Sequence, residues 1–296
     1  MGALIDFPLV LGSFLVAIVV GLTGMGGGAL MTPMMMLFFN VPPLAAVSSD
    51  LVASAVMKPV GGFVHLRHGT VNLRLVGWLC LGSVPTAFCG VFVARAWAVG
   101  DGVKYALGVA LLLAVAGLAA KTLIGDRGGT AHANEVRVRP IPTVLVGMVG
   151  GLIVGVSSVG SGSLIIVALI ALYPALKANQ LVGTDLVQAV PLVVSAAIGH
   201  LLFGDFQLDL TTSLLIGSIP GVYLGARISS RAPGGLIRAM LAIVLLASAL
   251  KLLNVGNTLT LVALALATAV IVIGWRWRVR AAARASSGSA DLARAR

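Results

Sequence analysis

Long apolar runs follow one another along most of the chain, and the polar positions gather in short gaps between them. Hydropathy marks segments over 7–23, 29–39, 45–66, 75–95 and 103–123. A polar linker, GDRGGTAHANEVRVRP, fills 125–140, and further segments cover 141–157, 163–173, 179–203, 208–229, 235–253 and 258–275. A helix that crosses the hydrocarbon core needs about 20 apolar residues. The pattern therefore predicts an all-α polytopic membrane protein, a single membrane domain over 1–296. In two places a helix that should continue is interrupted: GLTGMGGGALMTP at Gly21–Pro33 and GVSSVGSGSLIIV at Gly155–Val167.

The two interruptions belong to an internal duplication. SSDLV (Ser48–Val52) resembles GTDLV (Gly183–Val187). In that register His65 falls on His200, Leu66 on Leu201, Gly82 and Ser83 on Gly217 and Ser218, Pro85 on Pro220 and Gly90 on Gly225. With an offset one residue shorter, GMGGGAL (Gly24–Leu30) falls on SVGSGSL (Ser158–Leu164). Repeat one is expected over 7–124, a cytoplasmic linker over 125–140 and repeat two over 141–254. One extra C-terminal transmembrane helix over 258–275 and a basic tail over 276–296 follow.

Loop charges choose between two topologies, because cytoplasmic loops carry an excess of Lys and Arg. If each interrupted pair crosses once, the repeats are parallel and the Lys/Arg divide about 12 against about 7. If each pair is re-entrant, each repeat has three spans, the repeats are inverted, and the division is about 16 against about 3, with Lys58 left inside the membrane. The inverted arrangement is preferred, with seven full spans; a long broken helix is the other form the break can take. Arg67, Arg74, the linker, Lys177, the Arg227–Arg238 loop and the C-terminus are then cytoplasmic, and the N-terminus lies outside. The protein is expected in the cytoplasmic membrane.

Composition agrees with the pattern: 59% of residues are hydrophobic, 10% are charged, and the mean hydropathy is +1.08. MGALIDFPLV has no Lys or Arg before its apolar run, so the first segment is expected to stay rather than to be cleaved. The net charge of +11 is spread over short loops and the tail, where anionic lipid headgroups explain it better than nucleic acid. Cys80 and Cys89 share one apolar run without a ligand cluster, so packing is expected of them, with no metal and no cofactor. GMGGG lacks the Gly-Lys-Ser/Thr ending of a nucleotide loop, and nothing indicates ATP hydrolysis.

Irregular backbone at membrane depth is tolerated only where protein buries it or it lines a watery cavity. Each break also opens a half-helix, over 29–39 or 163–173, whose first N–H groups lack intrahelical partners and favour anions. Gly26, Gly27 and Gly28 admit close backbone approach, while Ser157, Ser158, Ser161 and Ser163 add hydroxyls, with Gly162 between them. Close helix packing through small residues is the competing explanation. Asp50, Ser54, Lys58 and His65 fall on one helix face and form a polar stripe in an apolar setting. Lys58 is a candidate cation for an anionic substrate; Asp50 and His65 are candidates for proton coupling or gating. In the second half Asp185, Gln188 and His200 occupy matching or adjacent positions, but Val193 replaces the lysine. The competing explanations are an internal ion pair for Lys58 and N-terminal capping for Asp50 and Asp185.

These stretches together resemble the TauE/SafE sulfite exporter family, also called the TSUP family. The resemblance rests on GLTGMGGGALMTP, SSDLVASAVMKPVGGFVHLRHGTVNLRLVGWLCLGSVPTAFCG and GTDLVQAVPLVVSAAIGHLLFGDFQLDL, and covers nearly the whole chain. It implies a permease for small sulfur-containing anions such as sulfite or organosulfonates, coupled to an ion gradient. The expected mechanism is alternating access around an anion held between the two half-helix N-termini, with a proton or another cation and membrane lipids as further partners. The alternatives are an ion-coupled carrier of another solute, a passive anion channel and an intramembrane enzyme; the last lacks a Ser/His or paired Asp motif.

Overall fold

The computed structural model describes residues 5–23, 27–67, 69, 71–124, 138–160, 162, 164–176, 178–229 and 234–271. Expectations for Gly26, Ser161, Ser163, Lys177, the linker over 125–137, the tail and the His65 side chain lie outside the described residues. Every regular element among those described is a helix: α1 (Phe7–Thr23), α2 (Gly28–Phe38), α3 (Pro43–Arg67), α4 (Leu73–Trp97), α5 (Gly102–Ile124), α6 (Pro140–Ser157), α7 (Leu164–Leu172), α8 (Ala178–Phe203), α9 (Leu208–Ser229) and α10 (Gly234–Leu252). A further apolar helix, α11, covers Asn257–Ile271. Contacts divide the chain into a unit through Leu253, which holds α1–α10, and a second unit from Asn254, which holds α11. Helices suit these apolar runs because hydrocarbon offers backbone amides no partner outside the segment.

Among the described residues, five helices are long and apolar enough to cross a membrane: Leu73–Trp97, Gly102–Ala119, Pro140–Ser157, Gln180–Phe203 and Leu208–Gly225. One of these is α6, which the sequence assigns to a re-entrant pair.

The two half-helices turn back. A Cβ on Gly12 of α1 would meet Met34 of α2 and the Phe39 ring just beyond it, so the end of α2 returns beside the start of α1. In the second repeat the Tyr173 hydroxyl, past the end of α7, lies 2.6 Å from Thr143 Oγ1 and accepts from the Arg139 N–H at 2.9 Å. Both partners sit at the start of α6, and Gly150 in its middle meets Ile165. Each interrupted pair is therefore a hairpin.

Packing exchanges the repeats. Helix α1 of the first repeat packs on α9 of the second, and α6 of the second on α4 of the first. Small residues allow both contacts. Gly217, Gly221 and Gly225 press against the backbone of Val10, Phe14 and Ile18, and Gly147, Gly151 and Gly155 against Leu79, Ser83 and Ala87. This i, i+4 glycine spacing lets helix backbones approach closely in a membrane bundle. The corresponding helices α3 and α8 run antiparallel: Ser48 near the start of α3 reaches His200 near the end of α8, while Gly62 near the end of α3 meets Leu186–Val190. Helices α5 and α10 also run antiparallel, with Gly108 against Ala249 and Leu253. Equivalent polar links join the two ends. The Asn72 N–H donates to Thr184 Oγ1 at 3.1 Å, and in the matching positions Ser49 Oγ donates to the Gln207 carbonyl at 3.5 Å.

Candidate functional site

The hairpin tips meet. Helix α2 begins one residue earlier than the sequence pattern placed it, at Gly28, and α7 one residue later, at Leu164. A Cβ on Gly28 would overlap the carbonyl and hydroxyl of Ser158, so only a glycine lets the start of α2 touch the end of α6. Ser158 itself takes the left-handed conformation, with φ 58°, and closes α6 by donating its N–H to the Val154 carbonyl at 2.7 Å. Gly160 and Gly162 follow with φ 129° and 102°, a backbone that side chains rarely tolerate. Ser157 is spent inside the break: its hydroxyl donates to the Ile153 carbonyl at 2.7 Å and accepts from the Val159 N–H at 3.2 Å.

Asp50 joins the two tips. It is fully buried; its Oδ2 accepts from Ser158 Oγ at 2.6 Å and from Thr32 Oγ1, in α2, at 3.0 Å. Its Oδ1 has no hydrogen-bond partner among the described residues, and it lies 3.9 Å from where a Cβ on Gly27 would sit. Capping does not describe Asp50 or Asp185, since neither α3 nor α8 has an acidic residue in its first turn. Thr32 was missed by the sequence reading. The signal was available: Thr32 falls on Ile166 in the second repeat, the same kind of asymmetry that singled out Lys58 against Val193.

Lys58 is buried two turns along α3 from Asp50, and its charge interacts with Asp185 of α8 and with Asp50. Buried charges in a membrane interior persist where opposite charges or dipoles compensate them. Gln188 of α8 is fully buried and donates through Nε2 to Ser83 Oγ at 2.6 Å; among the described residues its Oε1 has no hydrogen-bond partner, and the buried Ser54 Oγ has none either. Asp50, Ser54, Lys58, Asp185 and Gln188 thus put buried polar groups on the packed helices α3 and α8.

His200 is placed differently. Its Nε2 lies 2.7 Å from the Gly155 carbonyl and its Nδ1 2.8 Å from Ser48 Oγ. A carbonyl can only accept, so Nε2 carries the proton. Ser48 Oγ also accepts from the Asp205 N–H at 3.2 Å. The ring fastens α8 to α6 and α3.

A cavity of about 350 Å³ lies between α5, α6 and α7, lined by Leu113, Val149, Ile153, Leu164 and other apolar side chains. None of the polar residues above lines it.

The pattern of the family described as sulfite exporter TauE/SafE matches residues 9–252. The probable membrane transporter protein YjnA of Bacillus subtilis (strain 168) is 35% identical over 255 residues, 83% of this chain and 98% of that protein. The probable membrane transporter protein YdhB of the same organism is 25% identical over 231 residues, 76% of this chain and 91% of that protein. No solved structure matches. With its apolar helices and a family match that runs from α1 to the end of α10, this multi-pass membrane transporter belongs to the sulfite exporter TauE/SafE family.

Proposed function

We propose that the protein is a secondary transporter that moves a small sulfur-containing anion, such as sulfite or an organosulfonate, across the cytoplasmic membrane by alternating access. The observation that carries this reading is the contact of the two hairpin tips at Gly28 and Ser158, with Asp50 bonded to both. A half-helix N-terminus presents amides and a positive dipole, and two such ends together with a buried lysine suit an oxyanion. Gly27 and Gly28 with Ser157, Ser158 and Gly162 are the candidate tip residues, Gly26 and Ser161 are candidates outside the described residues, and Lys58 and Gln188 are candidates on α3 and α8. Asp50 and Asp185 are the candidate gate and coupling groups, with His65 a further candidate whose side chain lies outside the described residues, and His200 fastens helices instead.

The exchange of helices between repeats supports alternating access. The antiparallel runs of α3 with α8 and of α5 with α10 support inverted repeats, and rocking one repeat against the other would open the tips to either side in turn. The N-terminus then lies outside and the linker and tail lie in the cytoplasm. The test is flux in vesicles containing the purified full-length protein, with sulfite, sulfate, sulfoacetate and thiosulfate, with and without a pH gradient. Saturable movement of a sulfur anion is expected. Movement of none of the four, or a continuous uncoupled current, would overturn the reading.

A further inference from the structure

We propose that Asp50 and the transported anion compete for the N-terminal end of α2, so that an anion occupies that end only when Asp50 holds a proton on Oδ1. This rests on the anion-site reading above. It makes proton uptake at one named oxygen a condition of anion binding.

The start of α2 has no side-chain cap. The N–H groups of Leu30 and Met31 are both turned to the Gly27 carbonyl, at 3.0 and 2.9 Å, which leaves the amides of Gly28 and Ala29 to face outward from the helix end. The nearest carboxylate to this end is internal. Asp50 Oδ1 faces Gly27, is wholly buried and lacks a hydrogen-bond partner among the described residues. Its other oxygen already takes two hydroxyl donors, from Thr32 and Ser158, so a proton arriving at this carboxyl goes to Oδ1. An ionised Asp50 supplies the negative charge that the helix end favours. A second anion brought beside it in the dry interior meets a like charge at short range. Protonation removes that charge and converts Oδ1 from an acceptor into a donor that can point at the anion. The step is a single proton transfer from water to the carboxylate, reversed when the anion leaves.

The charged surroundings support Asp50 as the group that titrates with the anion. On α3 it faces Lys58, and Asp185 of α8 acts on that lysine. Helix α2 presents Thr32 to Asp50, and the end of α6 presents Ser158. The second repeat does not duplicate the arrangement, because Ile166 stands where Thr32 would be and Val193 where Lys58 would be.

The experiment mixes the full-length protein in lipid nanodiscs with sulfoacetate in weak buffer and follows pH with a dye, alongside binding affinity. Sulfoacetate is chosen because it carries no group that titrates between about pH 6 and 8. The expected result is uptake of one proton per anion bound, with affinity falling about tenfold per pH unit where free Asp50 is ionised. Asp50→Asn should bind with no proton uptake and no pH slope, and Asp50→Glu should keep the uptake. Binding by the wild type without proton uptake, or the same uptake in Asp50→Asn, overturns the inference and leaves the anion site standing. No binding of sulfoacetate, sulfite, sulfate or thiosulfate at any pH overturns the anion site, and this inference with it.

Discussion

Ser158 donates its hydroxyl to Asp50 at 2.6 Å across 108 positions of sequence, tying the glycine-serine break of one repeat to the polar helix of the other. Thr32 completes the tie from the first half-helix at 3.0 Å. The tips of two hairpins are thereby held at one carboxylate, and the predictions below follow from that joint.

Replacing Gly28 with alanine should break it. The new methyl group has no room, because the Ser158 carbonyl occupies its position, and overpacking a tight contact typically costs about 1–3 kcal/mol. Thermal unfolding in detergent should show this loss, with transport abolished. Gly77→Ala is the matched control: it lies in α4 with open space around its Cβ position, and alanine there should be neutral or slightly stabilising. Equal behaviour of the two variants would show that the tips do not touch.

His200→Asn should lower stability without altering the pH dependence of transport. Both ring nitrogens are engaged, by Gly155 and Ser48, and a hydrogen bond between membrane helices is worth about 0.6 kcal/mol on average. A loss of about 1 kcal/mol in unfolding is therefore expected. A shifted pH profile of flux in this variant would instead assign the ring a proton-carrying role.

Side-specific labelling checks the topology. In a background without Cys80 and Cys89, cysteines at Ile5 and Pro42 should react with an impermeant reagent from the same side, since α2 returns beside α1. Val99, in the exposed turn after α4, should share that side. A cysteine in the 125–137 linker should label from the opposite, cytoplasmic face. Opposite labelling of Ile5 and Pro42 would make the first break a crossing.

Much of this was legible in the chain. The duplication, the paired breaks and the half-helices follow from hydropathy and from GMGGGAL lying over SVGSGSL, and the structure places α2 and α7 within a residue of where that pattern starts them. The return of each half-helix was not readable from periodicity, because a hairpin and a broken span share one hydropathy profile; the Tyr173–Thr143 contact distinguishes them. Glycines also divide in a way composition hides. Those at 147, 151, 155, 217, 221 and 225 pack helices together, whereas Gly28 admits a neighbouring tip. The signal for Thr32 is its mismatch with Ile166 in the second repeat, which gains meaning only once the carboxylate it serves is located. Asp50 itself was found, but its partners come from α2 and α6, which no local pattern on α3 could reveal.

Flux through the Lys58→Met protein tests the central claim most directly. Vesicles containing wild type or variant, matched for amount and for thermal stability, would be loaded with sulfite or sulfoacetate and the initial rate compared. Because Lys58 is the buried cation behind the tips, the variant should lose at least about tenfold in rate, which corresponds to about 1.4 kcal/mol. An undiminished rate of anion movement through Lys58→Met would contradict the placement of the anion between the two hairpin tips and α3.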